Sequence, residues 1–150
     1  DLLRVALREV ANLLASHPVE KRLISALPLV KADFVLMQQA LCNLLVNAAT
    51  HTPPGTPIEI GAYVEASELV LEVADQGPGL PVGQTERIFD SFYRAPAAKP
   101  GGTGLGLAIV KGFVEAQGGR VKASNRPEGG ARFCIFLPVS EAPSLPKETL

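Results

Sequence analysis

Gly101-Gly102-Thr103-Gly104-Leu105-Gly106-Leu107-Ala108-Ile109-Val110 is a glycine-alternating loop that runs straight into an apolar helix pattern. Gly102, Gly104 and Gly106 lack a Cβ, so the backbone there can take unusual dihedrals and approach a ligand closely. The helix start behind them offers unpaired N–H groups and a partial positive charge, which suits phosphate. The loop is not a Walker A motif, because no Gly-Lys-Ser/Thr follows. It is also a poor Rossmann fingerprint, since a Pro/Gly-rich stretch and not a strand precedes it. Taken alone, the alternation also fits a tightly packed helix start, so its meaning depends on what lies upstream.

Working outward, residues 103–117 form a helix pattern that is apolar nearly all round, with Lys111 and Glu115 on a narrow polar stripe, and such a helix is expected to be buried. Gly118-Gly119 ends it. Two strands follow, Arg120 to Asn125 and Ala131 to Leu137, joined by the turn Pro127-Glu128-Gly129-Gly130. Upstream, 76–102 is rich in Gly and Pro with one helical island at Thr85 to Tyr93, a composition expected of a functional loop or lid. Leu69 to Asp75 reads as a strand, and so does the alternating run Ile58, Ile60, Ala62, Val64. Asp33 is placed to cap a helix running to about His51, ended by Pro53-Pro54-Gly55. Val19 to Ser25 predicts a short strand. Asp1 to Ser16 predicts one helix with Leu3, Leu7, Val10 and Leu14 on its stripe. The hairpins exclude a purely parallel sheet, so the expected fold is α+β: a two-layer α/β sandwich, one mixed sheet covered by helices on one face. Residues 139–150 read as a disordered tail behind a domain spanning 1–138.

Three further groups of residues carry chemistry. Asn43, Asn47 and His51 are spaced i, i+4, i+8 and share one helix face, with Phe34, Leu41, Leu45 and Ala48 directed to the core. Such a face is commonly just solvated, but Asn is a mediocre helix former and its amide oxygen is a hard neutral ligand for Mg²⁺. Asp75 ends Asp75-Gln76-Gly77-Pro78-Gly79 and shares the parity of Leu69, Leu71 and Val73, which puts a carboxylate at the mouth of an apolar space. It there needs a donor such as the exocyclic amine of adenine, although Asp at the start of a β-turn is common. Glu86 to Arg94 gathers Phe89, Phe92 and Tyr93 in a chain with only 6 Phe, 2 Tyr and no Trp. This is either a satellite apolar cluster under a loop or a lid anchor, with Arg94 able to reach a phosphate.

The totals narrow the classes. The chain has 150 residues and a net charge of −1. That length suits one domain with a real core, and that charge argues against an electrostatic nucleic-acid binder. No apolar run is long enough to span a bilayer, and no signal peptide opens the chain. Cys42 and Cys134 read as buried free thiols in a reducing compartment, with a single disulfide as the alternative. The 2 Cys and 2 His form no zinc pattern. The abrupt helical start is expected of a piece of something longer.

Together, Asn helix, Asp-Gly turn, aromatic segment and glycine loop, in this order from about Asp33 to Leu137, resemble the N, G1, F and G2 boxes of the sensor histidine kinase catalytic domain, with its Bergerat (GHKL) ATP-binding fold. The resemblance implies that Asn47 ligates Mg²⁺, that Asn43 contacts the phosphates or the metal shell, and that His51 lies near the ribose and phosphates. It implies that Asp75 takes the adenine amine, that Gly77 and Gly79 shape the pocket, and that Phe89 and Phe92 anchor the lid. Gly102, Thr103, Gly104, Leu105 and Gly106 would close over the phosphates, with Arg94 near the γ-phosphate. One departure is Asn47-Ala48-Ala49-Thr50-His51-Thr52, where the family usually has Lys in place of Thr50; Lys99 or Arg94 is the expected substitute for the lost cation. His17-Pro18-Val19, Thr52 to Ile58, Phe92-Tyr93-Arg94 and Asn125 to Gly130 are similar to the KdpD-type potassium-responsive kinases.

The implied activity is positioning of Mg-ATP for γ-phosphoryl transfer to a histidine on a separate dimerisation domain, with a cognate response regulator as the indirect partner. Neither histidine here matches the acceptor pattern, and His17 is expected at the surface, so the chain is expected to bind Mg-ATP as a monomer without phosphorylating itself. The resemblance also implies a cytoplasmic domain of a bacterial membrane kinase. The alternatives are another GHKL ATPase, an anti-sigma-type serine kinase, or a degenerate interaction module that binds no nucleotide.

Overall fold

The computed structural model describes residues 2–23, 30–91 and 106–139. In chain order these hold helices α1 (Leu2–Glu9) and α2 (Ala11–Leu14), strand β1 (Val19–Leu23), helix α3 (Phe34–Thr50), strands β2 (Ile58–Glu65) and β3 (Glu68–Asp75), a 3-10 turn (Arg87–Phe89), helix α4 (Gly106–Glu115), and strands β4 (Arg120–Asn125) and β5 (Ala131–Pro138). The five strands form one sheet in the order β1-β2-β3-β5-β4. Only β1 and β2 run parallel; the other pairs are antiparallel. The helices cover one face, as the expected two-layer α+β sandwich requires.

Alternation builds the core. Ile60, Val73 and Phe133 lie in one row across β2, β3 and β5, and Ala62, Leu71 and Ile135 in the next. All six are buried. Met37, Ala40, Leu41, Leu44, Leu45 and Ala48 of α3 are buried at spacings of three and four, the stripe that a helix lays on a sheet. The side chain of Asp33 caps α3 by accepting from the N–H groups of Val35 and Leu36 at 2.9 and 3.1 Å.

The elements depart from the sequence expectations at their margins. The first helix breaks at Val10 into two, although Leu3, Val10 and Leu14 stay buried together. Phe34 is exposed, because it sits in the first turn of α3 ahead of the stripe that reaches the sheet; Val64, near the turn end of β2, is exposed too. The helical island expected at Thr85 to Tyr93 contracts to the turn Arg87–Phe89, with 92–93 outside the described residues. Helix α4 buries Val110 and Val114 but exposes Ile109, so it packs on one side only. Its end is as expected: Gly118, at φ +76°, and Gly119 donate to the carbonyls of Glu115 and Val114 at 3.0 and 3.1 Å, the Schellman closure. The expected tail, 140–150, lies outside the described residues.

The turn from β2 to β3 holds Ala66 and Ser67 at φ 50° and 64°, between paired Glu65 and Glu68. Two consecutive left-handed residues fit the right-handed strand twist, but they suit Asn-Gly better than Ala-Ser. The double substitution Ala66→Asn, Ser67→Gly is expected to raise unfolding stability by about 1 kcal/mol in urea titrations.

The open face of the sheet carries charge. Glu72 Oε1 accepts from the Tyr63 hydroxyl at 3.3 Å and from Cys134 Sγ at 3.7 Å, and its Oε2 lies 3.6 Å from Arg132 Nε. Cys42 and Cys134 are both free and buried. Burial, helped by the Glu72 carboxylate against the pull of Arg132, pushes the Cys134 thiol from 9.0 to about 12. Burial and the neighbouring Cys134 and Glu72 push Tyr63 from 10.0 to about 12. Both acids ionise later when folded than when unfolded. Their stabilisation is therefore complete below about pH 9 and is lost as pH rises toward 12. Chemical denaturation across that range should show stability falling with pH, with a shallower slope for the double variant Tyr63→Phe, Cys134→Ala.

Candidate functional site

Asp75 is the centre of the site. It stands opposite Ile58 in the β2–β3 register, where the apolar rows of the core would put another aliphatic side chain. It is 5% exposed. A carboxylate in that place must be hydrogen-bonded. Oδ1 accepts the N–H of Gly77 at 2.9 Å and the N–H of Ala131 at 3.2 Å. Both of these bonds from described residues to the carboxylate use Oδ1.

The glycines around it are required by contact. A Cβ on Gly77 would lie 2.7 Å from Thr52 Cγ2 and 3.2 Å from Asp75 Oδ1. Gly79 has φ +82°, and a Cβ there would meet Asn125 Oδ1 at 2.7 Å. Gly130, at φ +97°, lies so close to the Asp75 carbonyl that a Cβ would collide with it. Close packing against protein atoms therefore requires glycine at 77, 79 and 130.

The end of α3 meets this turn. The His51 carbonyl lies 3.4 Å from where a Gly77 Cβ would stand. Thr52 is buried, and its Oγ1 donates to the Ala48 carbonyl at 2.8 Å, which holds its methyl against Gly77. The helix ends at His51, whose N–H donates to the Asn47 carbonyl at 3.0 Å. Asn43 and Asn47 are half-buried, away from the stripe that packs on the sheet, while Thr50 and His51 are exposed. The C-terminal end of α3 and the Asp-Gly turn are therefore in contact.

Phe89 is buried and packs edge-on against Phe133 of the core, with ring centroids 6.2 Å apart at 87°. That contact ties the segment after the Asp-Gly turn to the same sheet row as Val73. Gly106 opens α4. Phe92, Arg94, Lys99, Gly102, Thr103, Gly104 and Leu105 lie outside the described residues.

Among the described residues, no group of three His, Cys, Asp or Glu is placed to hold a metal ion. A divalent ion would there depend on neutral amide oxygens, such as those of Asn43 and Asn47, with a ligand's own phosphates. No described helix is long and apolar enough to cross a membrane. His17 corrects the expectation of a surface residue: it is buried, its Nδ1 bonding the Thr56 carbonyl at 2.9 Å. The docking of the 52–57 loop on residues 16–18 encloses it, through Gly55 N–H to Ser16 O at 2.7 Å and Ile58 N–H to Pro18 O at 2.8 Å.

The sequence alone assigns Thr52, Asn125, Arg126 and Gly130 no part in the site; they enter within the stretches Thr52 to Ile58 and Asn125 to Gly130 that are similar to the KdpD-type kinases. The signal that could have found Gly130 is the pair Gly129-Gly130, more glycine than a short hairpin turn needs.

The family described as histidine kinase-, DNA gyrase B-, and HSP90-like ATPase matches residues 32–141. Sensor protein KdpD of Escherichia coli (strain K12) is 46% identical over 132 residues, which are 87% of this chain and 15% of that protein. The chain thus spans a small part of that relative. The mycobacterial sensor histidine kinase MprB has a similar solved structure, with a TM-score of 0.84 at 28% identity, covering 94% of this chain and 95% of that one. Full-length ShkA in complex with AMPPNP is similar with a TM-score of 0.75 at 30% identity, over 93% of this chain and 30% of that one.

The packing of Gly130 against the Asp75 carbonyl sets an expectation. Gly130→Ala should destabilise the fold strongly, whereas Gly129→Ala, whose Cβ would meet nothing, should cost only about 1–3 kcal/mol of backbone strain. Thermal melts of the two variants side by side check this.

Proposed function

This chain belongs to the histidine kinase-, DNA gyrase B-, and HSP90-like ATPase family, as a sensor histidine kinase ATPase domain, and we propose that it binds Mg-ATP and presents the γ-phosphoryl group to a histidine on a separate dimerisation domain. The observation that carries the reading is the buried Asp75 carboxylate at the end of an apolar row, accepting the main-chain N–H groups of Gly77 and Ala131. AMPPNP, the ATP analogue in the ShkA complex, is a ligand of the same class.

In this reading Asp75 accepts the adenine amine, and Gly77 and Gly79 border the base. Asn47 holds Mg²⁺, Asn43 binds the phosphates or the metal shell, and His51 lies beside the ribose and phosphates. Phe89 and Phe92 anchor a lid, and Gly102, Thr103, Gly104, Leu105 and Gly106 close over the phosphates with Arg94 at the γ-phosphate. The bound metal ion supplies charge neutralisation at the phosphates, and phosphoryl transfer depends mainly on such positioning and electrostatics. The chain's own residues fix the base at one end and align the polyphosphate at the other. The domain, residues 1–138, works in the cytoplasm as part of a longer membrane-anchored kinase, with a response regulator downstream.

Calorimetric titration with ATP tests this. Binding is expected with Mg²⁺ present, about tenfold or more weaker for Asp75→Asn and for Asn47→Ala, each of which removes a charge-assisted or metal-directed contact. Thr50→Lys, which restores a cation beside the phosphates, is expected to tighten it. Absence of heat at millimolar ATP would leave the interaction-module alternative standing.

Neither His17, enclosed and bonded to Thr56, nor His51, at the end of α3, is offered as a phosphoacceptor. Incubation with γ-labelled ATP is expected to leave the chain unlabelled. An acid-labile label on either histidine would overturn that assignment.

A further inference from the structure

The hairpin between β4 and β5 grips Asp75 from behind. Arg126 follows β4, and its Nη1 donates to the Asp75 carbonyl at 3.0 Å. Its Nη2 lies 3.0 Å from Glu59 Oε2, and its Nε lies 3.4 Å from Glu128 Oε1. Arg126 and Glu59 are each only 10% exposed, and Glu59 is shared at 3.0 Å with Arg22. A buried ion pair is a poor source of stability against an apolar isostere, because both charges must leave water. What this one provides is geometry: a planar fork that meets a main-chain carbonyl and a carboxylate through two separate nitrogens in fixed relation, which the single ammonium of a lysine does not offer.

The same turn reaches Asp75 in two more ways. Gly130 gives the carbonyl room by having no Cβ, and the Ala131 N–H donates to Oδ1. Asn125 extends the grip to the loop after Gly79. Its Oδ1 accepts the Leu80 N–H at 2.6 Å and its Nδ2 donates to the Leu80 carbonyl at 3.1 Å, as a paired strand would. One hairpin therefore fixes both the acid and the far end of the glycine turn that follows it.

We infer that Arg126, held by Glu59, and Asn125 are positioning residues for base recognition, aiming the Asp75 carboxylate and the 77–80 loop at the exocyclic amine of an adenine nucleotide. This rests on the nucleotide-binding reading above. In this role the residues act through Asp75 and Leu80. Their substitution therefore removes the preference for a purine that carries the amine, and leaves the phosphate end alone.

The test compares the affinity of this chain for ATP and for purine riboside 5′-triphosphate, which lacks the amine, by calorimetry with Mg²⁺. The unsubstituted chain should prefer ATP. Arg126→Lys, which keeps the charge and loses the fork, should weaken ATP about tenfold and the amine-free analogue by less than about twofold, abolishing the preference. Asn125→Ser, at an exposed position, should act in the same direction and serves if Arg126→Lys does not fold. Equal weakening of both ligands, or none of either, in a variant with an unchanged melting temperature would overturn the inference while leaving the site intact. If the unsubstituted chain binds ATP without preferring it over the analogue, or binds neither, the role given to Asp75 falls and the inference falls with it.

Discussion

A carboxylate ends an apolar row of the core. Ile58, and beside it the rows of Ile60, Val73 and Phe133 and of Ala62, Leu71 and Ile135, supply the aliphatic surface that holds helices on the sheet. Asp75 interrupts that pattern with a group whose burial costs several kcal/mol unless it is hydrogen-bonded. The surrounding structure answers that demand. A glycine turn curls back to donate from Gly77, a hairpin donates from Ala131, and Thr52 packs into the space that a Gly77 side chain would need. An aliphatic side chain such as Leu or Val would fit this place without any such partners.

The two faces of the sheet divide the labour. The covered face is apolar and fixes the helices. The open face is polar and cross-linked: Arg120 pairs with Glu68 at 2.8 Å and lies 3.9 Å over the Phe136 ring, and Arg132, Tyr63 and Cys134 converge on Glu72. Arg126 belongs to both, since its partner Glu59 is on the open face and its carbonyl acceptor is the main chain of Asp75. The shallow groove of about 420 Å³ between the start of α3 and the end of α4 lies at the other end of α3, closed by the Asp33 N–H on Gln117 Oε1 at 2.7 Å. It contains none of the chemistry-bearing residues.

The segment after the glycine turn reaches the core at the Arg87–Phe89 turn. Ile88 and Phe89 are buried, with Phe89 set edge-on to Phe133, while Glu86, Arg87 and Asp90 are exposed. Among the described residues, Ile88 and Phe89 join this segment to the core through a short 3-10 turn, where the sequence suggested a longer helical island.

Much of this was legible in the sequence because it is written in periodicity and local chemistry. The i, i+4, i+8 spacing of Asn43, Asn47 and His51, the parity of Asp75 with Leu71 and Val73, the Asp33 cap and the Gly118-Gly119 stop depend only on dihedrals and neighbours along the chain. The linear order of the motifs sufficed to identify the family. Contacts between residues far apart in the chain were not legible: Asn125 to Leu80, Arg126 to Glu59 and Asp75, Gly130 against the Asp75 carbonyl, and His17 enclosed beneath the 52–57 loop. Nor were the exposure of Phe34 and the one-sided packing of α4, because hydrophobicity says that a residue can be buried, whereas only the path of the surrounding chain decides what covers it. The sequence by itself determined the elements, their order and the acid at the strand end; the sheet order β1-β2-β3-β5-β4 decided which distant hairpin would stand behind that acid and hold it in place.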